Sequence, residues 1–247
     1  MVGMVGNDLH APVALALMTS AGVDVSRVGV APGATGLAVV SVADDGENTI
    51  VVIPGTNEEM GAEAVHRSAS IISSAAIVVL QGEIPAAGIE AAAALCAGRL
   101  VLNLAPVIAV NRATILKADP LVVNEHEAVL VLAQLDPKAP TGLSDTDLVA
   151  RLKASGCASV VMTVGARGAL CAVGAEILVI PSPHVVAVDS SGAGDAFVGA
   201  MSAVLASGQT LLEAVSIAVR VGAFAVQGRG TQPSYPFAHD KLPEVAA

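Results

Sequence analysis

Aromatic side chains are nearly absent from this 247-residue chain, which has no tryptophan, one tyrosine and three phenylalanines. Any nucleobase would therefore be sandwiched mainly by aliphatic groups. Positive charge is scarce too. Twelve Lys and Arg stand against 22 Asp and Glu, a net charge of −10, which excludes the basic footprint of a nucleic-acid binder. A phosphate ligand would have to be met largely by Mg²⁺ and backbone donors. No run approaches the ~20 uninterrupted apolar residues of a membrane span. The most apolar stretch, Leu100 to Val110, follows Arg99 and is broken by Asn103 and Pro106. No basic region precedes the apolar residues of the N-terminus, so a secretory signal is not expected. Cysteine is limited to Cys96, Cys157 and Cys171, an odd set without metal-like spacing. They read as reduced core thiols of a cytoplasmic protein. His10, His66, His126, His184 and His239 are scattered without ligand spacing, and none is assigned a catalytic role.

Hydrophobic residues make up 54% of the chain, enough for a substantial core and for one large α/β domain or two small ones. Short β-branched runs alternate with turns and Ala-rich or amphipathic segments. Strands are expected at Ala76–Leu80, Leu100–Leu104, Leu121–Val123, Ser159–Thr163, Ala169–Val173 and Ile177–Ile180. Helices are expected at Pro85–Ala97, Glu125–Gln134, Asp145–Ser155, Asp195–Ala206 and Leu211–Val226. The alternation predicts an α/β fold with a mostly parallel, Rossmann-like sheet covered by helices on both faces. The segment from Val28 to Ile53 differs. Val28–Val30, Gly36–Val42 and Thr49–Ile53, separated by Pro32-Gly33 and Asp44-Asp45-Gly46, read as a small antiparallel set suited to a substrate lid.

The most informative run is Asp189-Ser-Ser-Gly-Ala-Gly-Asp195-Ala-Phe-Val-Gly-Ala. Its glycines let backbone N–H groups crowd an anion. A helix beginning at about Asp195 would aim roughly half a positive charge at the same place. A carboxylate there suits phosphoryl transfer, in which a base accepts a hydroxyl proton while backbone donors steady the transferred group. The same residues also fit a βα turn with Asp as helix N-cap and no catalytic role. A dinucleotide fingerprint would need a third glycine where Phe197 stands, and the Gly-Lys-Ser/Thr of a Walker loop is missing.

Further motifs accompany this run: Gln81-Gly-Glu83-Ile-Pro85, Asn103-Leu-Ala-Pro106, Val123-Asn124-Glu-His-Glu127-Ala, Thr163-Val-Gly165-Ala-Arg-Gly168 and Gly228-Arg-Gly230-Thr-Gln-Pro-Ser234. In this order, over nearly the whole chain, the sequence resembles the ribokinase family of carbohydrate kinases. The resemblance implies ATP-dependent phosphorylation of a sugar's primary hydroxyl, D-ribose to D-ribose 5-phosphate before other substrates. A fructose, 2-keto-3-deoxygluconate or adenosine kinase, or a non-catalytic sugar or nucleotide sensor, are the alternatives.

By that resemblance Asp195 is the general base, and the N–H groups of Gly192, Ala193 and Gly194 form an anion hole. Glu83 is a sugar ligand, with a solvated loop acid as the other reading. Asn124, Thr163, Gly165, Gly168 and Gly194 line the ATP site. Asn124 and Glu127 organise Mg²⁺ partly through water, or simply cap a helix. Arg167 is read as a solvated turn residue. Asp189, Ser191, Ala225, Gly228, Gly230 and Ser234 match a K⁺ site. Residues 1–247 are expected to be one kinase domain, with lid strands at about 28–53 and a homodimer through the lid by analogy. Members of the family carry several dozen residues ahead of the Gly6-Asn-Asp8 turn, including a first strand and sugar-gripping residues. Met1–Val5 reads as the tail of an internal strand, so the chain is expected to be N-terminally incomplete.

Overall fold

Strands buried on both faces read as continuous apolar runs, whereas helices over them need only one apolar stripe. The computed structural model, which describes residues 1–42 and 48–245, is organised on that contrast. Strands β1 (Val2–Gly6) and β2 (Arg27–Ala31) are joined by helix α1 (His10–Ser20), and β3 (Leu37–Val42) is followed by β4 (Asn48–Ile53). Short helices α2 (Ala62–His66) and α3 (Ala69–Ser74) lead to β5 (Ile77–Leu80) and α4 (Ala86–Leu95). The chain continues through β6 (Arg99–Asn103), α5 (Arg112–Lys117), β7 (Leu121–Asn124), α6 (Glu125–Leu135), α7 (Asp145–Ala154) and β8 (Ser159–Thr163). Two further strands, β9 (Ala169–Val173) and β10 (Glu176–Ile180), precede helices α8 (Ala193–Ala206) and α9 (Leu211–Ala225).

The central sheet has the order β10-β9-β8-β7-β6-β5. Strands β5 to β8 are parallel, and β9 and β10 add an antiparallel edge. Alternate residues serve opposite faces. Leu100, Leu102, Leu121, Val123, Val160 and Met162 enter a core shared with α2 to α7. Val101, Val122 and Val161 face the other way, onto Phe197, Val198 and Met201 of α8 and Ala214, Val215 and Ala218 of α9. Each fully buried large side chain contributes about 1.5–3 kcal/mol. The expected α/β architecture with helices on both faces is therefore present.

Two expectations need correction. Val28–Val30 does not join the lid; β2 pairs in parallel with β1, from Val2↔Arg27 to Gly6↔Ala31. The reason is α1, a crossover helix that returns the chain in the same direction. Its sequence hid it, because apolar residues lie all round and Leu9, Val13 and Leu17 are exposed. Of the strands expected in that set, β3 and β4 remain, antiparallel from Leu37↔Ile53 to Val42↔Asn48. The Asp44-Asp45-Gly46 turn lies outside the described residues. The second correction concerns α8, which starts at Ala193 with Gly192 as N-cap, so Asp195 is its third residue rather than its first.

No helix among the described residues is long and apolar enough to cross a membrane. All three cysteines are free and buried. Burial pushes the Cys157 and Cys171 thiols up to about 11, so both stay protonated at neutral pH.

Candidate active site

Parallel strands present their carboxyl ends on one edge, which is where open α/β sheets place ligands. Gln81 and Glu83 follow β5, Asn124 ends β7 and Thr163 ends β8. The N-terminus of α8 arrives at the same edge. The turn before α8 needs glycine at position 192, where φ is +74°. A Cβ there would lie 2.7 Å from Tyr235 Oη and 3.0 Å from Thr231 Cβ. Among the described residues the N–H groups of Gly192 and Gly194 donate to no other oxygen. The Ala193 N–H already donates to Ser190 O at 3.3 Å. Two of the three expected anion-hole amides are thus free, and the third is shared with the turn.

Asp195 projects from the exposed first turn of α8. Gln81 Nε2 donates to its Oδ1 at 3.0 Å, joining positions 114 residues apart in sequence. Two other groups feel its charge. The carboxyl of Glu83, a residue exposed overall, is raised above the usual range first by desolvation and then by the charge of Asp195. The Tyr235 phenol is pushed up to about 12 by the same two causes and remains a donor.

Beside Asp195 lies a cavity of about 160 Å³ lined by Asn124, Glu127, Thr163, Gly194 and Asp195. A larger one, of about 700 Å³, is lined by Asn124, Thr163, Gly165, Gly168 and Gly194, all five positions expected around a nucleotide. Its apolar walls include Val185, Val219 and Val226 together with the ring of Phe197.

Asn124 and Glu127 form a complete capping box. Asn124 Oδ1 accepts from Glu127 N at 2.8 Å, and Glu127 Oε2 accepts from Asn124 N at 2.8 Å. Glu127 Oε1 also accepts from Asn124 Nδ2 at 2.9 Å. Burial raises the Glu127 carboxyl above its ordinary range, against the Asn124 amide and His126, which lower it. Both carboxylate oxygens are engaged, so this donor set fits Mg²⁺ held through water better than direct ligation.

Of the six positions matched to a cation loop, Asp189, Ser191 and Gly230 are joined by hydrogen bonds, as are Ala225 and Gly228. Asp189 Oδ1 accepts from Ser191 N and its Oδ2 from Gly230 N, both at 2.9 Å. These amides hold the carboxyl below its usual range. Gly228 N donates to Ala225 O at 3.1 Å, and the buried Ser234 donates through Oγ to Thr231 O at 2.8 Å. Carbonyl and carboxylate oxygens are the donors these residues can offer, the type that hard cations take. The Asp189 and Ser234 side chains already serve the loop's own hydrogen bonds.

Arg167 pairs with Glu125 at 3.0 Å and Asp145 at 2.5 Å, matching its reading as a turn residue. No sequence pattern assigns a role to Gln81, Tyr235, His126 or His184. The last two line the larger cavity. Gln81 belongs to the Gln81-Gly-Glu83-Ile-Pro85 motif, but only its distance to Asp195 reveals a partner.

Comparison with known proteins agrees with this geometry. A family model described as pfkB family carbohydrate kinase matches residues 1–238. Ribokinase of Schizosaccharomyces pombe is 32% identical over 243 residues, covering 96% of this chain and 76% of that protein. Among solved structures, ribokinase of Thermotoga maritima superposes with a TM-score of 0.86 at 27% identity, over 95% of this chain and 77% of the other. Arabidopsis thaliana ribokinase, solved with ribose and ATP, gives a TM-score of 0.83 at 27% identity, over 95% and 78%. The chain spans about three quarters of the length of these relatives. It belongs to the pfkB family of carbohydrate kinases, within its ribokinase-like branch.

Proposed function

We propose that the chain transfers the γ-phosphoryl group of ATP to the primary hydroxyl of a sugar, D-ribose before others, with Asp195 as general base. The observation that carries this reading is the meeting of free amides and a carboxylate in the first turn of α8, beside the cavity that gathers the five expected nucleotide residues. The solved complex of the Arabidopsis relative with ribose and ATP supports the pair of substrates.

In the proposed reaction the Asp195 carboxylate takes the proton from the sugar hydroxyl. The oxygen attacks the γ-phosphorus, and the bond to the β-phosphate oxygen breaks to release ADP. The Gly192 and Gly194 N–H groups, with the helix dipole behind them, offset charge on the transferred group. Ala193 assists only as far as its bond to Ser190 loosens. Glu83 holds a sugar hydroxyl beside the base. Mg²⁺ held through water near Asn124 and Glu127 would neutralise phosphate charge. K⁺ in the loop of Asp189, Ser191, Ala225, Gly228, Gly230 and Ser234 would order the turn behind the amides. With few Lys and Arg in the chain, cations and amides must do most of that work.

We also read the described chain as one kinase domain of a cytoplasmic enzyme. A homodimer through β3 and β4 is supported by the exposed Leu37, Val39, Val51 and Ile53. The net charge of −10 supports a small-molecule partner rather than nucleic acid. The test is Asp195→Asn, assayed for ADP release over a panel of sugars. Turnover is expected to fall about 10²–10⁴-fold, the usual contribution of a general base, with MgATP affinity kept. Turnover close to that of the parent protein would remove the mechanism. A parent protein that binds sugar or ATP without turnover would favour the sensor.

A further inference from the structure

A helix fixes the Cα of Asp195 but not its carboxylate, which sits on an exposed first turn with two free torsions. A base must meet its proton at about 2.6–3.2 Å, so an unsteered carboxylate spends much of its time misplaced. The structure supplies one steering contact, the 3.0 Å bond from Gln81 Nε2 to Asp195 Oδ1. Among the described residues nothing donates to Oδ2, which stays available for an incoming hydroxyl.

The donor comes from a rigid support. Gln81 leaves the end of β5, which is paired to β6 through Leu80↔Leu102. The next residue, Gly82, donates its N–H to Ala105 O at 3.0 Å. It packs so closely on Pro106 that a Cβ would lie 1.8 Å from the Pro106 carbonyl oxygen. The backbone beyond Gln81 therefore has little room to move, and the amide reaches across to α8 from a fixed point.

We propose that Gln81 is a positioning residue for the phosphoryl transfer. By donating to Oδ1 it selects the orientation of Asp195 in which Oδ2 faces the acceptor hydroxyl. The inference rests on the reading of Asp195 as the base. A carboxamide does this without adding charge beside Glu83 and Asp195, which a third acid could not.

The test compares Gln81→Met, which keeps the length and loses the donor, with Gln81→His, whose Nε2–H reaches to a similar distance. Gln81 is only half-buried, and melting temperature with MgATP affinity checks that each variant is folded. Gln81→Met is expected to lower kcat by about 10- to 100-fold, the scale of a misplaced reacting group, with both KM values within about twofold. Gln81→His is expected to recover most of that loss. Unchanged kcat in Gln81→Met, a change confined to the sugar KM, or a Gln81→His variant as slow as Gln81→Met each overturns the inference. Asp195→Asn is run beside them. If it keeps turnover, the parent reading fails; if it loses turnover while Gln81→Met matches the unsubstituted protein, only the inference fails.

Discussion

Placing a single methyl group at position 192 tests the geometry of the phosphate turn directly. Gly192→Ala forces an L residue to φ of +74°, which costs about 1–2 kcal/mol. The new Cβ would also stand 2.7 Å from Tyr235 Oη, 3.0 Å from Thr231 Cβ and 3.1 Å from Thr231 Cα. The phenol can swing away, but the Thr231 backbone cannot, and overpacking of this kind costs about 1–3 kcal/mol. The two contributions together come to about 2–5 kcal/mol. For a chain of this length that corresponds to a fall in Tm of roughly 4–20 °C. Displacing the amides should also cost kcat about 10²-fold or more, as losing one oxyanion donor does. Two companions make the reasoning specific. Gly194→Ala meets no atom within 4 Å, so its Tm should hold or rise while nucleotide affinity falls, because residue 194 lines both cavities. Tyr235→Phe in the Gly192→Ala background should recover part of the lost Tm, since only the flexible half of the clash is relieved. Thermal melts of the four proteins with and without MgATP read all of this. A Gly192→Ala protein that melts within about 2 °C of the parent and turns over normally would refute both the left-handed turn and the contact.

Three other outcomes follow from the same geometry. Glu83 has a raised carboxyl in the folded protein, so folding takes up protons above the ordinary glutamate value of about 4.3 and stability falls as pH rises through that interval. Glu83→Gln removes this penalty; its Tm relative to the parent should be more favourable at pH 7 than at pH 4, and an equal difference at both would contradict the shift. Replacing K⁺ by Na⁺ or Tris should lower turnover by roughly tenfold, the equivalent of about 1.4 kcal/mol, and indifference would remove the cation loop. Arg167→Ala should leave the KM for ATP within about twofold and Tm within about 1 °C, because its exposed pairs with Glu125 and Asp145 are screened by water; a large rise in KM would make Arg167 a phosphate ligand.

Much of the architecture could be read from the chain because the buried parallel strands are short apolar runs between clear turn signals. Ser159–Thr163 and Ala169–Val173 fall where they were expected. Asn124 and Glu127 were legible as a helix start because the capping box is a local, three-residue relation. Relations between distant segments were not. Val28–Val30 looks like any edge strand, and only the crossover through α1 decides that it pairs with β1. The start of α8 reads too late in the sequence because an Asp signals an N-cap, whereas the actual cap, Gly192, has no side chain to signal with. The contact of Gln81 with Asp195 spans 114 positions, and no periodicity reports a pairing of that range.

Because one helix carries both the amides and the carboxylate, their separation is set by the pitch of that helix and not by the docking of two parts. If α8 slides on its bed of Val101, Val122 and Val161, the amides and the Asp195 carboxylate travel together. Loosening that bed should therefore weaken the grip on both substrates in parallel while leaving the alignment between them intact. Faults of alignment would have to enter from the strand ends, where Gln81 and Glu83 stand on separate supports.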